Sequence, residues 1–148
     1  DLGNQSAIQR FVVLLLLATS PATLPAHLAD LDKVILKHPL VVAAISASAA
    51  YLSGDYLGFL RFYKEADFLS AVAVAELANL ARMRLLWMIS RAYPRSVGDS
   101  VSLRGLVKLL ACQDEAHARA FLSFHGLAVE EGEQRDRVLF PKKGCVDE

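Results

Sequence analysis

The sequence predicts a mainly α-helical chain of stacked αα-hairpins followed by a C-terminal winged helix with a short β-hairpin. Three observations point there. Gly54-Asp55 sits between two helical patterns as a C-cap and an N-cap would. Hydrophobic residues make up 54% of the 148-residue chain, with mean hydropathy +0.34, as expected of helices buried on more than one side. After Tyr93 the composition changes, and the elements become short.

The first helix is expected over residues 6–18, capped by Ser6 and stopped before Pro21. Arg10 and the apolar run Phe11–Ala18 imitate a signal peptide. The preceding residues are acidic and polar, and the run is far short of the roughly 20 residues a membrane span needs. It therefore reads as a core helix, and no transmembrane helix is expected. A second helix is expected over 23–36, with Leu24, Leu28, Leu31, Val34 and Ile35 on one side, broken at His38-Pro39 because a residue before proline avoids the helical region. The third, 40–52, is rich in Ala and Ser, which lets neighbouring helices approach closely.

Beyond the Gly54 turn, Tyr56, Phe59, Leu60 and Tyr63 follow an i, i+3, i+4, i+7 pattern and put aromatic bulk on one helix face. Asp67 is expected to cap a long helix, 68–93, bent or divided near 78–81. In the last part, Ser102 caps a leucine-rich helix, Asp114 caps another ending at Gly126, and residues 127–141 read as a β-hairpin. Two parts follow: 1–94, helical repeats, and 95–148, a winged-helix module forming one continuous unit with them. Starting at Asp1 rather than Met, the chain is expected to be a fragment of a longer protein.

Charge is balanced, with 16 basic and 16 acidic residues, and net charge alone claims no nucleic acid. The two cysteines, Cys112 and Cys145, have no metal or redox spacing and suit a reducing compartment. No phosphate loop, nucleophile elbow or metal-ligand spacing is present. His117 and His125 lie eight apart near Cys112, too sparse a set for zinc, and His27 and His38 lie near helix ends. No catalytic residue, cofactor or metal is expected.

Interaction residues are of two kinds. The aromatic face of 56–63 reads as packing for Phe59 and Tyr63, whereas Phe62, with Arg61, faces another side and is a candidate partner contact. Arg82 and Arg84 suit either an acidic partner or an internal ion pair with Glu76 or Asp67. In the winged helix, Arg104 and Lys108 share a helix face, Arg119 sits on the second helix, and Arg135, Arg137, Lys142 and Lys143 lie on or beside the hairpin. These seven are the nucleic-acid candidates. Asp114, Glu115, Glu130, Glu131 and Glu133 in the same module favour protein contacts over sequence-specific DNA reading.

The order of motifs adds a resemblance. His38-Pro39-Leu40-Val41-Val42-Ala43-Ala44 is followed by Gly54-Asp55-Tyr56, Phe59-Leu60-Arg61-Phe62-Tyr63-Lys64-Glu65-Ala66, Arg82-Met83-Arg84-Leu85-Leu86 and Arg91-Ala92-Tyr93-Pro94. Ser102–Leu110 and Phe121-Leu122-Ser123-Phe124-His125-Gly126-Leu127 complete the series. Over roughly residues 6–141 it resembles the SAC-three/GANP family of messenger-RNA export scaffolds, which have the PCI layout of a helical stack running into a winged helix. The chain departs from the family pattern at Asp55, where asparagine is usual, at Leu60, often aromatic, and at Ala81, where an acid is expected.

The resemblance implies a non-enzymatic nuclear scaffold of the TREX-two type, located at the nuclear pore. Its implied partners are another PCI-domain protein docked through the winged helices, a small acidic subunit, nuclear-pore and export factors, and weakly held RNA or DNA, with no membrane. A PCI subunit of the proteasome lid or of initiation factor three shares the ground plan. A winged-helix nucleic-acid-binding protein acting alone is the alternative of another class.

Overall fold

A computed structural model describes residues 1–92, 101–130 and 136–139, and among these it is mainly helical, with nine α-helices and one small antiparallel sheet. Contacts divide the chain into two compact units, Asp1–Met83 and Arg84–Glu148. No helix among the described residues is long and apolar enough to cross a membrane.

In the first unit, α1 (Leu2–Thr19) packs against α4 (Pro39–Ser53) and α6 (Phe68–Ala73), and α4 packs against α5 (Tyr56–Glu65). The helix expected from Ser6 begins at Leu2 instead. Asp1 caps it by accepting from the Gly3 N–H at 3.1 Å. Ser6 is fully buried within the helix and donates to the Leu2 carbonyl at 2.8 Å, the back-bond that satisfies a hydroxyl in a helix interior. Ser48 of α4 repeats the device with the Ala44 carbonyl at 2.8 Å. Val13, Leu14 and Leu17 of α1 and Val41, Ala44 and Ala47 of α4 are buried. Small residues on α4 thus face into the core, as expected of a close helix approach.

The helix expected over 23–36 is broken in two. Pro21–Thr23 form a 3₁₀ turn that leads into α2 (Leu24–Asp30), Leu31 turns extended, and α3 (Lys33–Leu36) starts anew. The restart is set by Asp32, whose carboxylate accepts from the Val34 N–H at 2.8 Å and so stabilises a helix start where the leucine periodicity runs on uninterrupted. His38-Pro39 breaks the chain where expected, with His38 extended and Pro39 in the first turn of α4.

The turn after α4 has the anticipated geometry. Gly54 adopts φ 85°, ψ 8°, a left-handed conformation that costs glycine little. The Asp55 N–H then reaches the Ala50 carbonyl at 2.8 Å, and Asp55 Oδ1 accepts from the Gly58 N–H at 2.9 Å. Gly58 allows this closeness, since a Cβ there would lie 2.3 Å from Asp55 Oδ2.

The helix expected after Asp67 is divided at Val74 rather than at 78–81. α6 ends at Ala73, and α7 runs Ala75–Ala92. Val74 leaves the helical region at φ −115°, ψ 15° and is fully buried. A β-branched residue loses little in helix propensity there and gains burial. Ala78 and Ala81, the expected break, are buried inside α7.

The second unit holds the C-terminal half of α7, β1 (Val101–Ser102), α8 (Leu103–Leu109), α9 (Glu115–Phe124), β2 (Ala128–Glu130) and β3 (Arg137–Leu139). The sheet order is β1-β3-β2, with Val101 and Val129 both opposite Val138. The described part of the expected hairpin is β2 paired with β3; residues 131–135, 140 and 141 lie outside the described residues. β1 is an addition: two residues are too few to show alternation in the sequence. Ser102 stands at the start of α8 without a side-chain cap bond, whereas Asp114 caps α9 by accepting from the His117 N–H at 2.7 Å. Leu103, Leu106, Leu110, Ala118, Leu122 and Val138 close one core with Leu86 of α7.

Candidate interaction surfaces

In the first unit the aromatic face of α5 is largely packing. Phe59 and Leu60 are buried. Tyr51 of α4 stacks edge-on against Tyr56 and Phe59, with ring centroids 5.9 Å and 5.0 Å away. Tyr51 belongs to the cluster but falls one turn before Gly54, outside the pattern that identifies the others. Tyr63 and Phe62 are half-buried, and Arg61 is exposed.

Arg82 is 3% exposed. Its guanidinium lies 5.2 Å from the Tyr63 ring centroid, and Nη1 donates to Asn79 Oδ1 at 2.7 Å. Ring face and amide help to compensate a charge taken out of water. Arg82 thus joins α7 to α5. Asp67, one of the two acids proposed for it by spacing, instead pairs with Arg10 of α1, Nη2 to Oδ1 2.8 Å. Arg84 is exposed and lies in the second unit.

In the second unit Arg104 and Lys108 project from α8 and are exposed. Arg104 Nε lies 3.9 Å from Glu115 Oε1, with both side chains largely in water, a pair of small energetic weight. Arg119 of α9 is half-buried and forms an ion pair with Asp136, just before β3. The Asp136 carbonyl also accepts from the Leu103 N–H at 3.0 Å, so one residue ties α9 and the start of α8 to the sheet. Arg137 is exposed on β3, directly opposite Glu130 in the ladder. Among the described residues Lys108 and Arg137 have no ion pair within 4 Å. Arg135, Lys142 and Lys143 lie outside the described residues.

Folding therefore adds acids to the basic set that linear order does not reveal, since Arg119 and Asp136 are 17 positions apart. His125 packs between Phe121 and Phe124, with centroids 4.6 Å and 5.2 Å away, and Cys112 is buried. No group of three or more His, Cys, Asp and Glu residues among the described residues is placed to hold a metal ion.

A family model described as the SAC3/GANP family matches residues 2–131, from the start of α1 to just past β2.

Proposed function

Because the chain belongs to the SAC3/GANP family, a family of non-catalytic scaffolds linked to messenger-RNA export, we propose that it is the PCI-like core of a nuclear TREX-two-type scaffold at the pore. Residues 1–94 are then the helical-repeat part, and 95–148 the winged-helix module. The module docks another PCI-domain protein, and a small acidic subunit joins the assembly. Arg61 and Arg84, both exposed, and the half-buried Phe62 are the positions for such contacts, while Arg82 holds α7 against α5.

The observation that carries this reading is that an acid stands beside three of the four described nucleic-acid candidates. Arg119 is paired with Asp136, Arg104 stands near Glu115, and Arg137 faces Glu130. A module built to read DNA keeps its basic groups available for phosphates; a mixed-sign surface suits a protein partner. RNA or DNA is then held weakly, without sequence preference. The family match favours the export scaffold over a proteasome-lid or initiation-factor-three subunit.

Affinity capture of the tagged protein from nuclear extract, read by mass spectrometry, tests the assignment. A second PCI-domain protein together with export or nuclear-pore factors is the expected set. Recovery of proteasome-lid or initiation-factor-three subunits in stoichiometric amounts would overturn it.

A further inference from the structure

The second half of α7 has two faces. Leu85, Leu86 and Ile89 pack with the core of the second unit. Arg84, Trp87, Met88 and Arg91 fall at i, i+3, i+4 and i+7, so they share another face of the same helix. All four are exposed, Trp87 at 58% and Met88 at 46%. The Arg91 guanidinium lies 4.4 Å from the Trp87 ring centroid and steadies the ring. Neither arginine has an ion pair among the described residues.

An exposed indole and an exposed thioether, bracketed by two cations, have no role in the core of this unit. Trp and Arg are the residues that dominate binding energy at protein interfaces, and Met adapts its shape to a partner's apolar surface. We propose that this face of α7 docks an amphipathic helix of another protein, one with acidic residues along the edges of its apolar stripe. Trp87 and Met88 receive the stripe. Arg84 and Arg91, one turn to either side, receive the carboxylates.

Charge selects this occupant. A second copy of the chain would bring the two arginines against their own counterparts, and like charges oppose that contact. Single-stranded nucleic acid stacks successive bases on several aromatic rings, but this face carries a single ring, Trp87, and Met88 beside it has no π system. The proposal goes beyond the export-scaffold reading and does not depend on which complex the protein joins.

Trp87 is the chain's single tryptophan, so intrinsic fluorescence reports on this face directly. The probe is a synthetic helix with leucines on one face and glutamates at its edges, titrated into the 148-residue chain. Binding is expected to shift Trp87 emission to the blue and to reduce quenching by acrylamide. The same helix with lysine edges is expected to do neither. The double variant Arg84→Glu, Arg91→Glu, with an unchanged circular-dichroism spectrum, is expected to bind the glutamate helix about tenfold more weakly or worse. Equal protection by both helices, or by neither, would overturn the proposal. Protection by oligouridylate in place of the glutamate helix would overturn it in favour of nucleic acid.

Discussion

Asp67 shows how one side chain is set by neighbours on two elements. Its carboxyl is held below the usual carboxylate value of 3.8, first by the Ser70 side chain, then by the Arg10 charge and the Ser70 amide, while desolvation opposes them. The Ser70 hydroxyl is buried without a hydrogen bond of normal geometry, so it acts as a nearby dipole, and Arg10 supplies the formed contact. A carboxylate with a lowered folded-state pKa adds stability above its unfolded value and loses it as pH falls through the folded value. The Arg10–Asp67 contribution is therefore full above pH 3.8 and fades below it. With the Asp67 side chain 40% exposed, it is worth at most about 1 kcal/mol. Ser70→Ala and Arg10→Ala should each raise the Asp67 pKa in a carboxyl-carbon NMR titration. An unmoved pKa in both would refute this account. At this scale Gly54, Asp55, Asp114 and His38-Pro39 do what their chemistry favours, whereas Asp67 and Ser102 stand at helix starts without the expected side-chain cap bond. Ser6 departs from the expected cap because a serine before an apolar run suits a cap or an interior back-bond equally, and the earlier Asp1 cap decides between them.

Elements were legible in kind more than in extent. The α4–turn–α5 unit follows its pattern, whereas the helices around it divide at places periodicity does not mark. Leu31-Asp32 interrupts a regular leucine row because a cap outweighs the pattern, and Val74 breaks a helix at a buried valine with no Gly or Pro nearby. β1 escaped detection because a two-residue strand exists only through its partner: Val101 and Ser102 pair with Val138 and Arg137. The same partner strand begins beside Asp136, whose side chain holds Arg119 and whose carbonyl holds the first N–H of α8. Asp136→Ala removes only the ion pair and leaves a half-buried guanidinium without its carboxylate. Urea unfolding should show a loss of about 1–2 kcal/mol. In a double-mutant cycle, Arg119→Ala with Asp136→Ala should cost less than the sum of the two single changes. A single-variant loss within a few tenths of a kcal/mol, with additive costs, would mean that the pair does not fasten α9 to the sheet.

For the chain as a whole, the candidate sites were only partly readable, because a surface is a property of three-dimensional neighbours. Arg104, Lys108, Arg119 and Arg137 look like a basic set along the sequence. Folded, Arg119 gains Asp136 as a partner, while Glu115 and Glu130, acids already visible in the sequence, stand near Arg104 and opposite Arg137. Arg84 was singled out for its charge, whereas Trp87, Met88 and Arg91 on the same face were not, although their spacing was visible; the face gains meaning only once Leu86 is seen to point into the core. Charge compensation limits nucleic-acid binding in a measurable way. Among the described nucleic-acid candidates only Lys108 and Arg137 lack an ion pair within 4 Å, and neutralising about two phosphates means that affinity for single-stranded RNA should fall only about tenfold between roughly 50 and 200 mM salt. Fluorescence anisotropy with labelled oligonucleotides of unrelated sequence should show weak, sequence-independent binding and a correspondingly shallow slope. Lys108→Glu should weaken it for every sequence alike. Tight binding with a slope of six or more phosphates would contradict the compensation described here, and a preference of several orders of magnitude for one sequence would replace the scaffold with a nucleic-acid reader.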